Sequence, residues 1–237
     1  MTCTLYTPVP GAGTEKWKWL SLPTLVLPWP ICLAPLVTVT ATWVPGCAGA
    51  TEPPTVTEPA VGVLRRRLHA LGYRSSETND QFGSDLEDAV LAFQKVQGLE
   101  RTGGVGPAFW SALDTPKLPH LRYPGQGDHL EVDKTLQVLM VAHAGKVVWI
   151  SPVSTGGPGK YTPEGTFAVQ RKVPGFDPSP LGTLWDPMYF TGGYAVHGNP
   201  SVPAYPASHG CVRVPMWVGS VLYASVQVGE PVDVYES

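Results

Sequence analysis

The stretch that decides how this chain is read is Tyr194-Ala195-Val196-His197-Gly198, continued by Asn199-Pro200 and then by Ser208-His209-Gly210-Cys211-Val212-Arg213. It puts one cysteine and two histidines into a short segment rich in glycine and proline. Thiolate is the reactive form of cysteine, and a neighbouring base or cation populates it near neutral pH. Imidazole is suited to that task. Tyr194, Ala195 and Val196 read as a strand, so His197 stands at a strand end where a side chain is held rigidly.

The chain holds four cysteines, at positions 3, 32, 47 and 211. The first three fall in an N-terminal region that reads as an export leader over residues 1–50. No charged residue occurs from Trp19 to Thr51, Lys16 and Lys18 stand just before, and Ala48-Gly49-Ala50 supplies small residues at the end. A membrane anchor is the competing reading, weakened by Pro23, Pro28, Pro30 and Pro35. Val44-Pro45-Gly46-Cys47 also resembles a bacterial lipobox, which would lipidate Cys47 and make it the new N-terminus. Each version carries the rest of the chain out of the cytoplasm to the cell envelope, with contact to a membrane only through that leader or lipid. Residues 51–60 then form a Pro/Thr linker. Cys211 is left in an oxidising compartment with no disulfide partner and no structural reason to be there.

Composition narrows the field further. The chain has 237 residues, 43% hydrophobic and 15% charged, with 26 Gly and 26 Pro, which favours turn-rich β structure over long helices. The formal charge of -3 without a long basic run argues against a nucleic-acid partner. Arg65-Arg66-Arg67 is the single basic cluster and is expected on the solvated face of a helix.

Residues 61–115 carry helical spacing. Val61, Leu64, Leu68 and Leu71 share a face and Gly72 sits at a C-cap position. Ser84-Asp85-Leu86-Glu87 has the pattern of a capping box, ahead of Leu86, Ala89, Val90, Phe93 and Val96, with Gly98 as the stop. Gly106-Pro107 opens a third helix bearing Phe109, Trp110 and Leu113. From Leu130 the period changes to two. Leu136–Val141 and Val147–Ile150 flank Ala144-Gly145-Lys146 as a hairpin, and Thr166–Val169, Tyr194–Val196 and Pro231–Tyr235 read as further strands. Met216–Val226 is the one helix expected there. The expected fold class is α+β in two domains, a small three-helix bundle followed over residues 120–237 by a mostly-β sandwich or barrel.

The helical segment resembles peptidoglycan-binding domains of the three-helix type, through Leu64-Arg65-Arg66-Arg67-Leu68-His69-Ala70-Leu71-Gly72-Tyr73, Ala89-Val90-Leu91-Ala92-Phe93-Gln94, Gly98-Leu99 and Val105-Gly106-Pro107. His69 is expected to be a partly exposed structural residue. The second half resembles the L,D-transpeptidase catalytic domain, through Val153-Ser154-Thr155-Gly156-Gly157, Thr162-Pro163-Glu164-Gly165-Thr166-Phe167, His197-Gly198 and Ser208-His209-Gly210-Cys211-Val212-Arg213.

That resemblance implies a cell-wall acyltransferase in which Cys211 attacks a stem-peptide carbonyl and forms a thioester. It further implies His197 as proton donor and acceptor, with the backbone carbonyl of Gly198 orienting its second ring nitrogen. His209 would support the intermediate. On residue spacing alone His197 and His209 remain rivals for the base, because residues two apart on an extended segment share a face. Backbone N–H groups of His209, Gly210 and Cys211 would hold the oxyanion. Ser208 is expected to orient His209, Arg213 to meet a substrate carboxylate or else to bond loop carbonyls, and Tyr189 to line the groove. The implied partners are peptidoglycan stem peptides and glycan, with carbapenem-type β-lactams as covalent inhibitors. Neither metal nor organic cofactor is expected, two histidines and a cysteine at this spacing being poor for a zinc site. His120, His129 and His143 are expected at the surface or in loops. Two alternatives stay open: an L,D-carboxypeptidase in which water is the acceptor, and a non-catalytic wall-binding protein.

Overall fold

Hydrophobic period and glycine stops set the helices. The computed structural model describes residues 4–8, 17–21, 58–76 and 81–237. In a first unit, strand β1 (Thr4–Pro8) pairs antiparallel with β2 (Trp17–Ser21), Thr4 opposite Ser21. The leader beyond Ser21, Cys47 and residues 51–57 of the linker lie outside the described residues.

In the second unit α1 (Glu58–Ala70) ends at Gly72, whose φ of 89° the left-handed stop requires. Helix α2 (Ser84–Gln97) ends at Gly98 in the same conformation, and α3 (Pro107–Asp114) opens on proline. The capping box expected at Ser84 is not formed. The helix starts one residue earlier than that pattern requires, with Gly83 at the cap and its carbonyl accepting the Leu86 and Glu87 N–H groups. The Arg65–Arg67 cluster is not a solvated face either. Arg65 is buried and bonds Ser75, the Gln81 carbonyl and Asp85, while Arg67 bonds the Leu113 carbonyl and Asp114. Arg66 is exposed and Arg67 half-exposed.

The β-rich region has strands β3 (His129–Asp133), β4 (Val138–His143), β5 (Lys146–Pro152), β6 (Gly165–Ala168), β7 (Arg171–Lys172), β8 (Phe176–Ser179), β9 (Gly182–Thr191), β10 (Tyr194–Gly198), β11 (Val212–Val214) and β12 (Pro231–Tyr235), with α4 (Met216–Ser225) before the last. Ala144 and Gly145, both at positive φ, make the tight turn between β4 and β5. One sheet runs β5-β4-β3-β12-β6; the other runs β11-β10-β9-β7, with β8 also paired to β9. They pack face to face through Leu130, Val132, Leu139 and Trp149 on one side and Met188, Phe190, Val196 and Val212 on the other, closed by Val218 and Leu222 of α4. The fold is α+β, with a helical N-terminal region and a β-rich sandwich.

The first sheet is covered on both faces. Val138, Met140, Ile150 and Tyr235 alternate with the sandwich residues and share one core with Leu64, Leu68, Leu86, Phe93 and Phe109 of the helices. The helical region therefore has no separate core. This is why Val138-Leu139-Met140-Val141 is an unbroken apolar run: a strand buried on both faces loses its polar alternation. His129 departs from the expected surface position. It is fully buried, with Nδ1 2.9 Å from the Gly127 carbonyl and Nε2 3.1 Å from Glu131, which also accepts from Tyr235 and from the backbone of Arg122 and Tyr123. Among the described residues no helix is long and apolar enough to cross a membrane.

Candidate active site

Parallel pairing of β10 with β11 builds the site. Val196 lies opposite Val212 and His197 opposite Arg213. Val196, Val212 and Val214 point into the sandwich core, so the intervening residues His197, Cys211 and Arg213 project to the other face. There they line a cavity of about 330 Å³ with Tyr189, Ser208 and His209. Six of the eight sequence-predicted site residues are brought together on its wall. Gly198 and Gly210 act behind it.

His197 is buried, and its Nδ1 lies 2.9 Å from the Gly198 carbonyl oxygen. A carbonyl only accepts, so the proton is on Nδ1 and Nε2 carries the lone pair. Burial, and secondarily the Arg213 charge, pull its pKa down to about 4 against the opposing hydrogen bond to Gly198. The imidazole is thus neutral at physiological pH and its free nitrogen is basic. Burial pushes the Cys211 thiol up, while the Ala195 backbone N–H and the Arg213 charge pull it down. The resting pair is therefore a thiol and a neutral imidazole. Among the described residues Cys211 is the free cysteine, its Sγ 3.7 Å from the Gly193 carbonyl.

The turn into Cys211 is fixed by its neighbours. Ser208 Oγ donates to the Cys211 carbonyl at 2.6 Å and accepts the Gly210 N–H at 2.9 Å. Ser208 therefore holds the Cys211 turn, not the His209 ring. The same bond occupies the Gly210 N–H within the loop, whereas the Cys211 and His209 N–H groups have no such tie among the described residues. Gly210 has φ 121°, and a Cβ there would meet Tyr194 Cε1 at 2.5 Å and the Tyr161 carbonyl oxygen at 2.6 Å. This left-handed break means that residues 209–211 are not an extended segment, so His209 does not share a strand face with Cys211. It is exposed at the rim.

Thr162, which spacing did not single out, links two of the loops: its Oγ1 donates to the Gly210 carbonyl and accepts the Gly156 N–H, each at 2.8 Å. Tyr189 donates its hydroxyl to Asp177 at 2.7 Å under the Arg171 guanidinium. Arg213 exchanges backbone bonds with Ser154 at 3.0 Å, and its guanidinium makes no hydrogen bond or ion pair with the described residues. The cavity wall also includes Tyr194, Asn199 and, from the β8–β9 hairpin, Ser179, Leu181 and Thr183. Nothing in the spacing of those residues marked them. Among the described residues no group of three or more His, Cys, Asp or Glu side chains is arranged to hold a metal ion.

A two-sheet sandwich whose cleft pairs a thiol with a neutral, carbonyl-oriented imidazole belongs to the class of folds that present a cysteine and a histidine for acyl chemistry. Comparison with known proteins narrows that class. The L,D-transpeptidase catalytic domain (YkuD) matches residues 127–234, and the peptidoglycan binding domain (PG_binding_1) matches residues 57–113. The L,D-transpeptidase (residues 123–326) from Xylanimonas cellulosilytica DSM 15894 is 39% identical over 80% of this chain and 100% of its own, with a TM-score of 0.73. The chain belongs to the L,D-transpeptidase family and is a cell-wall L,D-transpeptidase. An L,D-transpeptidase from Mycobacterium smegmatis is 28% identical over 46% of this chain and 58% of its own, at a TM-score of 0.42. L,D-transpeptidase 3 from Mycobacterium tuberculosis in complex with a faropenem-derived adduct is 21% identical over 46% of this chain and 60% of its own, also at 0.42. At those scores the last two bear on neither fold nor site. A search of curated proteins returned no match.

Proposed function

We propose that the enzyme works through a Cys211 thioester, with His197 as its base and peptidoglycan stem peptides as its substrate. The observation that carries this is the fixed tautomer of His197, whose Nδ1–H is spent on the Gly198 carbonyl and whose basic Nε2 belongs to the same cavity as the thiol. Nε2 takes the thiol proton as Sγ attacks the carbonyl carbon of the diamino acid at the L-centre. The proton then passes to the amine of the terminal D-alanine as the C–N bond breaks, leaving the thioester. The side-chain amine of a second stem attacks, its proton goes to Nε2 and on to the departing sulfur, and an amide joins the two diamino acids.

Backbone N–H groups at the Cys211 turn hold the oxyanion. His209 supports it from the rim. Arg213, with no acceptor among the described residues, receives a stem-peptide carboxylate. The helical region acts as a three-helix glycan-binding module, and the leader exports the chain to the envelope. Carbapenem-type β-lactams acylate the same thiol.

The deciding experiment is intact-mass analysis after imipenem treatment. The wild type gains one adduct and Cys211→Ala gains none; an adduct retained by the variant would sink the nucleophile assignment. Incubation with purified tetrapeptide stems then separates the outcomes: cross-linked dimer is the expected product, and trimmed monomer alone would make the enzyme a carboxypeptidase.

A further inference from the structure

Two basic side chains of the helical region leave it and end on backbone carbonyls of the β-rich region. Lys95, on α2, is fully buried, and its Nζ donates to the carbonyls of Gln137 at 2.9 Å and Val153 at 2.8 Å. Burying an ammonium is costly, and an apolar residue would fill the same space without that cost. What Lys95 supplies that an apolar residue cannot is a fixed distance between two backbone segments. Both lead to the nucleophile loop.

Val153 opens the segment on which that loop lies. Ser154 and Arg213 exchange both backbone bonds at 3.0 Å, the Thr155 carbonyl accepts the Ala207 and Ser208 N–H groups at 2.9 Å, and Gly157 N–H donates to the Ser208 carbonyl at 3.0 Å. The Gln137 side chain clamps the same segment, its Nε2 donating to Thr155 Oγ1 at 2.6 Å and its Oε1 accepting the Thr155 N–H at 3.0 Å. Arg101, just after α2, acts more directly. Its guanidinium donates to the Ala204 carbonyl at 3.1 Å, within the loop that joins His197 to Cys211, and to the Thr135 carbonyl at 3.4 Å. Neither residue lines the cavity.

We propose that Lys95 and Arg101 are positioning residues for acyl transfer, through which the helical region sets the place of the Ser208–Arg213 loop. The helical region is then part of the catalytic apparatus as well as a wall-binding module, and strain on it reaches the nucleophile through these bonds. This rests on Cys211 being the nucleophile.

The test compares full-length Lys95→Met, Arg101→Met and Arg101→Lys with wild type in imipenem acylation, separating the maximal acylation rate from the half-saturating concentration and normalising to the folded fraction. Both methionine variants are expected to lose about tenfold or more in maximal rate with half-saturation little changed, because small misplacements of reacting groups act on rate. Arg101→Lys, which keeps a donor, recovers most of the loss. Methionine variants within about twofold of wild type, or an Arg101→Lys as slow as Arg101→Met, overturn the proposal. If Lys95→Met does not fold, the Arg101 pair decides alone. Wild type that fails to acylate would sink the nucleophile reading instead, so the two failures are distinguishable.

Discussion

His197 shows how much a single hydrogen bond decides. Its Nδ1–H donates to the Gly198 carbonyl, and in the proposed mechanism that bond takes the place of the carboxylate that orients histidine in many triads. A pKa lowered to about 4 by burial, against an ordinary value of 6.5, sets the pH behaviour. The unfolded chain takes up this proton as pH falls through 6.5 while the folded chain resists until about 4, so the contribution to stability is full above 6.5 and is lost progressively between those values. Replacing His197 by Ala should flatten that limb in thermal melts recorded across this window. In wild type, imipenem acylation should show no inflection near 6.5, because the His197 imidazole stays unprotonated there. His197→Ala should slow acylation far more than His209→Gln; the reverse order would exchange their roles. At this scale the sequence named Cys211 and His197 by type and context. It placed Ser208 in the site but gave it the His209 ring as partner, whereas Ser208 bonds the Cys211 turn because the left-handed Gly210 folds the chain back onto it.

Among the elements, α4 is the one that keeps the histidine in place. Gly219 on α4 packs directly on β10, where a Cβ would stand 2.7 Å from Gly198 Cα. Trp185 Nε1 donates to Ser220 on the same helix at 2.7 Å, and Trp217 Nε1 donates to Asp88 of α2 at 3.1 Å. Burial pushes that Asp88 carboxyl up to about 6. Gly219→Ala should therefore shift the Gly198 carbonyl away from His197, costing about 1–3 kcal/mol of stability by overpacking and a larger share of acylation rate. Denaturant unfolding and acylation kinetics on the same variant check both. Helix α4 was legible as a short apolar run, and the hairpin at Ala144-Gly145 from its turn residues. Strand β9, the longest, was not. Gly182, Pro187 and Asp186, the last at φ 47°, interrupt its pattern, and its pairing with β7, β8 and β10 supplies what propensity does not.

At the scale of the whole molecule, the core shared by the helices and the first sheet makes the two regions one cooperative structure. Val138, Met140, Ile150 and Tyr235 would face water in a fragment limited to residues 120–237. That fragment should be insoluble or should melt far below the full chain, whereas the full chain should unfold in a single calorimetric transition. Two well-separated transitions would contradict the shared core.

What the sequence by itself determined is the set of local signals. Helical spacing, glycine and proline stops, the hairpin turn and the cysteine–histidine segment all act within a few residues, where chain chemistry is enough. What only the tertiary structure decided depends on residues far apart in the chain. The buried places of Arg65, Lys95 and His129, the loss of an independent helical core and the β9 pairings all come from partners that no spacing rule supplies. Charged and polar side chains read as surface until a distant carbonyl or carboxylate satisfies them, and that partner exists only once the sheets and helices have packed.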